Sequence, residues 1–268
     1  SALPYGWTGL YRPNQNEWGF SVKKSFIKKI KPKKNYKVNI ISKFKNNTMK
    51  VLDYKIQGKS NKTFIFNAHN CHKFQANDDI SGCAVGIKLF EYLKTKKLKY
   101  SYRLVIAPEL FGPMFWLKQL GSEVKNFKGA ILLKAVGNQN KLKLQNSFNL
   151  NTFLDKSAEL ALLKQKQKFK KGNFRTVYGN DETVFEAPGY NIPTITLTRY
   201  PFKEYHTDLD TPKILKEKKL QETFDVCKSI VEIIENNEKL VNNHKGLVCL
   251  SNKKYDLYKS AYSPGVDR

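Results

Sequence analysis

Arginine is rare in this 268-residue chain, and histidine and cysteine occur only four times each. No run approaches the roughly 18 consecutive apolar residues of a membrane-spanning helix, so a membrane is not expected as a partner. Cys71, Cys83, Cys227 and Cys249 are scattered, with no C-x-x-C pair. That spacing excludes a disulfide-stapled small scaffold and leaves reduced core or near-site thiols. There is no internal repeat or low-complexity tract. Ser1–Phe20 lacks the charged-then-apolar order of a secretory leader, and with nothing removed before Ser1 the expected location is the cytoplasm.

Positive charge, by contrast, is abundant: 48 Lys+Arg against 23 Asp+Glu give a formal charge of +25. The lysines spread over 23–34, 94–99, 164–171 and 213–219. Groove-reading proteins depend on arginine for bidentate base contacts, and no helix-turn-helix, zinc-finger or RNP-like pattern occurs. A nucleic-acid partner is therefore not expected, while an acidic partner or substrate fits the charge. The 40% hydrophobic and 13% aromatic content is enough to build a packed core rather than a disordered chain.

Residues 1–35 read as an irregular arm with aromatic anchors at Trp7, Tyr11, Trp18 and Phe20. Residues 36–240 form the main domain, and 241–268, which lack a clear period, a C-terminal arm or the remnant of a further domain. Two β-rich runs, Tyr36–Phe44 and Met49–Ile56, flank Lys45-Asn46-Asn47 and predict a hairpin. Strands are then expected at Thr63–Asn67, Tyr102–Ala107, Gly129–Val136 and Ile192–Leu197. Helices are expected at Ser81–Lys94, Met114–Leu120, Thr152–Lys166 and Leu215–Glu235. Such alternation implies an α/β protein whose mostly parallel sheet is covered on both faces, with its chemistry beyond the C-terminal ends of the strands.

Three strand ends carry chemistry. After the first comes a loop holding His69, His72, Asp78 and Asp79, and a loop can converge imidazole and carboxylate donors on zinc. Asp79 or Ser81 would alternatively cap the helix that follows. The second end presents Glu109 between Pro108 and Gly112, a carboxylate placed to act as a general base. The third carries Tyr205-His206-Thr207-Asp208-Leu209-Asp210-Thr211-Pro212, where Asp208 or Asp210 could cap the final helix.

His72 with Ala76-Asn77-Asp78-Asp79-Ile80-Ser81-Gly82, then Ile106-Ala107-Pro108-Glu109, Asn180-Asp181-Glu182, Ile192-Pro193 and Tyr205-His206-Thr207 resemble a bacterial family of aminopeptidase-like zinc proteins. That family is associated with polysaccharide biosynthesis and related to the co-catalytic zinc aminopeptidases and glutaminyl cyclases. The resemblance runs from about Trp18 to Glu235 and rests on the order of the motifs. It implies a three-layer α/β/α fold with a central mixed, mostly parallel sheet. It further implies His72, Asp78 and His206 as zinc ligands (His69 being the second choice for the first) and Glu109 as general base. Asp181 and Glu182 would bind a substrate amine, with Tyr205 beside the ligand histidine.

Departures from the co-catalytic pattern shape the expected site. Leu110 follows Glu109 where those relatives carry a second glutamate ligand, and Lys134 falls near their aspartate ligand. Lys134 would repel a second cation and contribute positive charge toward substrate, so one zinc ion is expected. The implied function is a metal-dependent amide-bond hydrolase acting on a small peptide or amino-sugar substrate with a free or acylated amine. The alternatives are a deacylase of a glycan intermediate and a catalytically inactive binding module.

Overall fold

The computed structural model describes residues 21–259, apart from 42, 44, 73, 74, 167, 239, 240, 248 and 256. The aromatic anchors expected at Trp7, Tyr11, Trp18 and Phe20 lie outside the described residues. By internal contacts the chain divides into two units, Ser1–Asn236 and Asn237–Arg268. The second unit contains no helix or strand among its described residues.

Among the described residues the first element is a one-turn helix, α1 (Lys24–Ile27), and strands and helices then alternate. In order these are β1 (Leu52–Ile56), β2 (Thr63–His69), α2 (Ser81–Leu93), β3 (Ser101–Ala107), α3 (Phe111–Leu120) and β4 (Phe127–Lys134). They continue with β5 (Lys143–Gln145), α4 (Phe153–Lys164), β6 (Lys170–Gly172), α5 (Glu182–Phe185), β7 (Thr194–Thr198) and α6 (Glu217–Asn236). The seven strands form one mixed sheet in the order β1-β3-β2-β4-β7-β5-β6. Strands β3, β2, β4 and β7 run parallel, while β1 and β5 pair antiparallel with β3 and β7. The chain leaves β2 through α2 to β3 on one side and returns through α3 to β4 on the other. The chemistry collects beyond β2, where such a reversal opens a crevice.

Strand alternation builds the two cores. Phe64 and Phe66 point to one face with Tyr102, Leu104, Ile131 and Leu133, packing under α2, α4 and α6. Ile65, Val105, Ala130 and Leu132 point to the other face, under Trp116 and Leu117 of α3 and Phe185 of α5. The α/β class with covered sheet faces is as expected. Helix α4 begins at a capping box, with Thr152 and Asp155 each bonding the other's backbone N–H. Among the described residues no helix is long and apolar enough to cross a membrane.

The hairpin expectation fails. Residues 36–51 contain no strand among those described, and β1 pairs with β3 instead. Tight hairpin loops need residues with positive φ, and none of Lys45, Asn46 and Asn47 adopts one.

Candidate metal centre

Strand β2 extends two residues beyond its expected end, so His69 is its last residue and is buried. The irregular turn Ala76–Ile80 folds back over the strand ends and encloses Asn77, Asp78 and Asp79. Asp79 accepts the His69 N–H at 3.2 Å and the Ala135 N–H at 2.9 Å, tying the ends of β2 and β4 together. Asn77 Oδ1 accepts the Gly137 N–H, and Ser81 Oγ accepts the Val136 N–H. The capping role weighed for Asp79 and Ser81 is thus corrected: α2 has no side-chain N-cap, and both side chains are committed to the β4 end. Gly82 permits this close approach, since a Cβ there would lie 2.3 Å from the Leu133 carbonyl oxygen and 2.6 Å from Asp79 Oδ1.

His72, Asp78 and His206 come together with their ligand atoms within 4.8 Å of one another. Asp78 Oδ2 lies 3.4 Å from His206 Nε2 and 3.7 Å from His72 Nε2. The carboxylate is enclosed, whereas His72 and His206 are 22% and 38% exposed, so the opening lies on the imidazole side. Burial alone would push Asp78 up, but hydrogen bonds from His206, His69 and His72 hold it far below the usual carboxylate range. Its Oδ2 is buried, and its contacts to these two imidazoles, at 3.4 and 3.7 Å, are too long to satisfy it fully. An anionic oxygen left unsatisfied between two imidazoles is costly unless a cation completes it. Two nitrogens and one carboxylate oxygen are a donor set that suits zinc, with a further position open.

The other oxygen of Asp78 faces a second cluster. Oδ1 lies 3.0 Å from His69 Nε2 and accepts from the Lys134 ammonium, which is itself 2.7 Å from His69 Nε2. Lys134 is 2% exposed, so it is enclosed among these partners rather than facing an open cleft. Burial disfavours a charged His69, yet the Asp78 hydrogen bond and the charges of Asp79, Asp78 and Glu109 push it up to about 10. At 2.7 Å one of the two nitrogens must accept, so His69 and Lys134 together carry one positive charge.

Glu109 sits in the turn between β3 and α3, 33% exposed, 3.7 Å from His69 Nδ1 and 3.8 Å from Lys134 Nζ. Asn180 Nδ2 donates to its Oε2 at 2.6 Å. Leu110 adopts φ +62°, and its N–H donates to Asp181 Oδ1 at 2.6 Å. Asp181 and Glu182 are both fully buried, and Glu182 accepts the Asn180 N–H. The acidic pair therefore lies behind the Glu109 turn, holding Leu110 and Asn180, and presents no open carboxylate. Tyr205 stacks on His206 at 3.9 Å between ring centroids, and its hydroxyl meets that of Tyr178 at 2.8 Å.

Burial raises Asp181 to about 7, against the lowering effects of His69 and the Leu110 N–H bond. The folded chain therefore keeps a proton that the unfolded chain has released, and stability falls as pH rises from about 4 to about 7. Asp181→Asn mimics the protonated form. In urea titrations its advantage over the native chain is expected to grow by up to about 4 kcal/mol across that window and stay level above it.

Two contributors escaped the sequence reading. Asn180 appeared there only as part of a motif, yet it fixes the proposed base. Asp210 was weighed as a cap of the last helix; instead its oxygens accept the Asn77 and Asp78 N–H groups at 2.7 and 3.0 Å. It locks the His206 segment to the Asp78 turn. Asp210→Asn replaces one acceptor by an NH2 facing an N–H, and zinc affinity measured by competition with a chromophoric chelator should fall about 10–100-fold.

Residues 19–237 match the model of a family described as a domain of unknown function, DUF4910. A relative from Clostridium acetobutylicum, named as a polysaccharide biosynthesis protein with aminopeptidase-like domain, is 28% identical over 242 residues, covering 90% of this chain and 54% of its own length. The chain thus spans about half the length of that relative. A crystal structure titled as a peptidase from the same organism superposes with a TM-score of 0.67 at 28% identity, covering 70% of this chain and 44% of the other. The fold is shared with the zinc aminopeptidase BSAP from Bacillus subtilis (TM-score 0.59, 19% identity, 71% and 51% covered). It is also shared with a glutaminyl cyclase from an Acidobacteriales bacterium (TM-score 0.61, 18% identity, 70% and 74% covered).

Proposed function

The chain belongs to the DUF4910 family, and on that premise we propose that it is a one-zinc amide-bond hydrolase using His72, Asp78 and His206 as ligands and Glu109 as general base. The observation that carries this reading is Asp78 Oδ2, buried and anionic, with only long contacts of 3.4 and 3.7 Å to the two imidazoles. A zinc ion held there would supply Lewis acidity, polarising the scissile carbonyl and making water more acidic.

The chain's own residues do the rest. Glu109 takes the proton of the attacking water and returns it to the leaving amine. Asn180 holds Glu109 Oε2 so that the carboxylate stays aimed, and Asp181 fixes the turn that carries it. Tyr205 orients the His206 ring by stacking. Lys134 with His69 keeps a single positive charge behind Asp78, offsetting the carboxylates.

The substrate would be a small peptide or an amino sugar bearing a free or acylated amine. The polysaccharide link in the relative's name favours the sugar derivative. The second reading, a catalytically inactive binding module, draws on Leu110 and Lys134, neither of which can ligate zinc beside Asp78. Amino-acid amides and N-acetylated amino sugars, assayed with zinc and after chelation, separate the two. The hydrolase reading expects chelator-sensitive amine release; no release with either substrate class by a zinc-loaded chain favours the binding module.

A further inference from the structure

We propose that His69, Cys71 and His72 form a second metal site, one that takes a soft, thiophilic cation and withdraws His72 from the first. Their ligand atoms also lie within 4.8 Å of one another. The loop that carries them is held in place: the Cys71 and His72 N–H groups both donate to Gln75 Oε1, at 3.1 and 3.3 Å. Gln75 in turn donates to Asn70, whose N–H is bonded to the Ala107 carbonyl of β3.

The donors converge on one place. Lys134 approaches His69 more closely at Nε2 (2.7 Å) than at Nδ1 (3.2 Å), and Nδ1 lies 3.7 Å from Glu109 Oε2. The His69, Cys71 and His72 donors thus gather within 4.8 Å of one another, and the Glu109 carboxylate, 3.7 Å from His69 Nδ1, is a further oxygen donor.

Ligand chemistry distinguishes the two sites. The His72–Asp78–His206 set offers two nitrogens and an oxygen, whereas this one offers two nitrogens and a sulfur. Thiolate sulfur selects soft ions such as cadmium or cuprous copper. Cys71 is exposed, while Cys83 and Cys227 are buried, so an incoming ion reaches this thiol from solvent. On binding, the S–H proton passes to water as the sulfur–metal bond forms, and His69 releases its Nδ1 proton to water while its Nε2 keeps the proton shared with Lys134; no electron is transferred. Both sites draw on His72, so filling one strips the other of a ligand, and the ion also sits against Glu109. Soft-metal inhibition follows; that consequence rests on the function proposed above, while the site itself does not.

The test uses the full chain, stripped of metal, in a Cys249→Ser background that removes the other exposed thiol. One equivalent of cadmium should produce a thiolate-to-cadmium charge-transfer band in the near ultraviolet. That band should persist in His206→Ala and be lost in both Cys71→Ser and Cys71→Ala, with far-ultraviolet circular dichroism unchanged. Absence of the band in the parent, or its survival in the Cys71 variants, overturns the proposal. Loss of the band in His206→Ala also overturns it, because the thiol would then belong to the first site. A chain that shows the band but takes up no zinc would retain this site and reject the hydrolase reading.

Discussion

Replacing Glu109 by Gln is expected to lower amide turnover by about 10²–10⁴-fold with zinc content and thermal midpoint unchanged. The glutamine keeps the shape and its carbonyl oxygen still accepts from Asn180 Nδ2, which now holds Glu109 Oε2 at 2.6 Å. What disappears is the ability to take a proton. The loss should fall on kcat, and on kcat/KM in proportion, because the missing interaction exists only in the transition state. Unchanged kcat with a raised KM would make Glu109 a binding group and return the site to the non-catalytic reading.

Asp78→Asn is expected to act on stability as well as on metal. Asp78 faces two clusters at once, with Oδ2 toward His72 and His206 and Oδ1 toward His69 and Lys134. The asparagine retains one oxygen for one side and presents an NH2 to the other. Stoichiometric zinc binding should be lost, as read by elemental analysis after dialysis. The metal-free variant should also be less stable than the metal-free parent by about 3–5 kcal/mol in urea unfolding, since Lys134 and His69 would share a positive charge buried without its counter-ion. A metal-free variant as stable as the parent would show that the Asp78–Lys134 contact contributes nothing to the fold.

Much of this site was legible in the sequence because each part follows a strong strand-to-turn signal. Thr63–His69, Ser101–Ala107 and Phe127–Lys134 are almost wholly buried runs, and a parallel sheet places such C-terminal ends together. The order of the motifs pointed to His72, Asp78 and His206, which the fold brings within 4.8 Å of one another. What stayed hidden depended on tertiary partners. Strands β5 and β6 have three residues each, too few to show a period; β5 gains its identity by pairing with β7, and β6 by pairing with β5. The β-rich run at Tyr36–Phe44 had the composition of a strand but finds no partner strand among the described residues. Asp210 reads as a cap from its position before Pro212, and only the fold brings it to the Asp78 backbone. Asp181 and Glu182 read as binders of a substrate amine from the resemblance alone; in the fold both are buried behind the Glu109 turn.

The central claim is that one zinc ion is held by His72, Asp78 and His206. Elemental analysis of the chain expressed in zinc-containing medium tests it most directly, alongside His206→Ala prepared identically. One zinc per chain in the parent and essentially none in the variant is the predicted result. A parent without stoichiometric zinc, a parent with two, or a variant that keeps its zinc would contradict it.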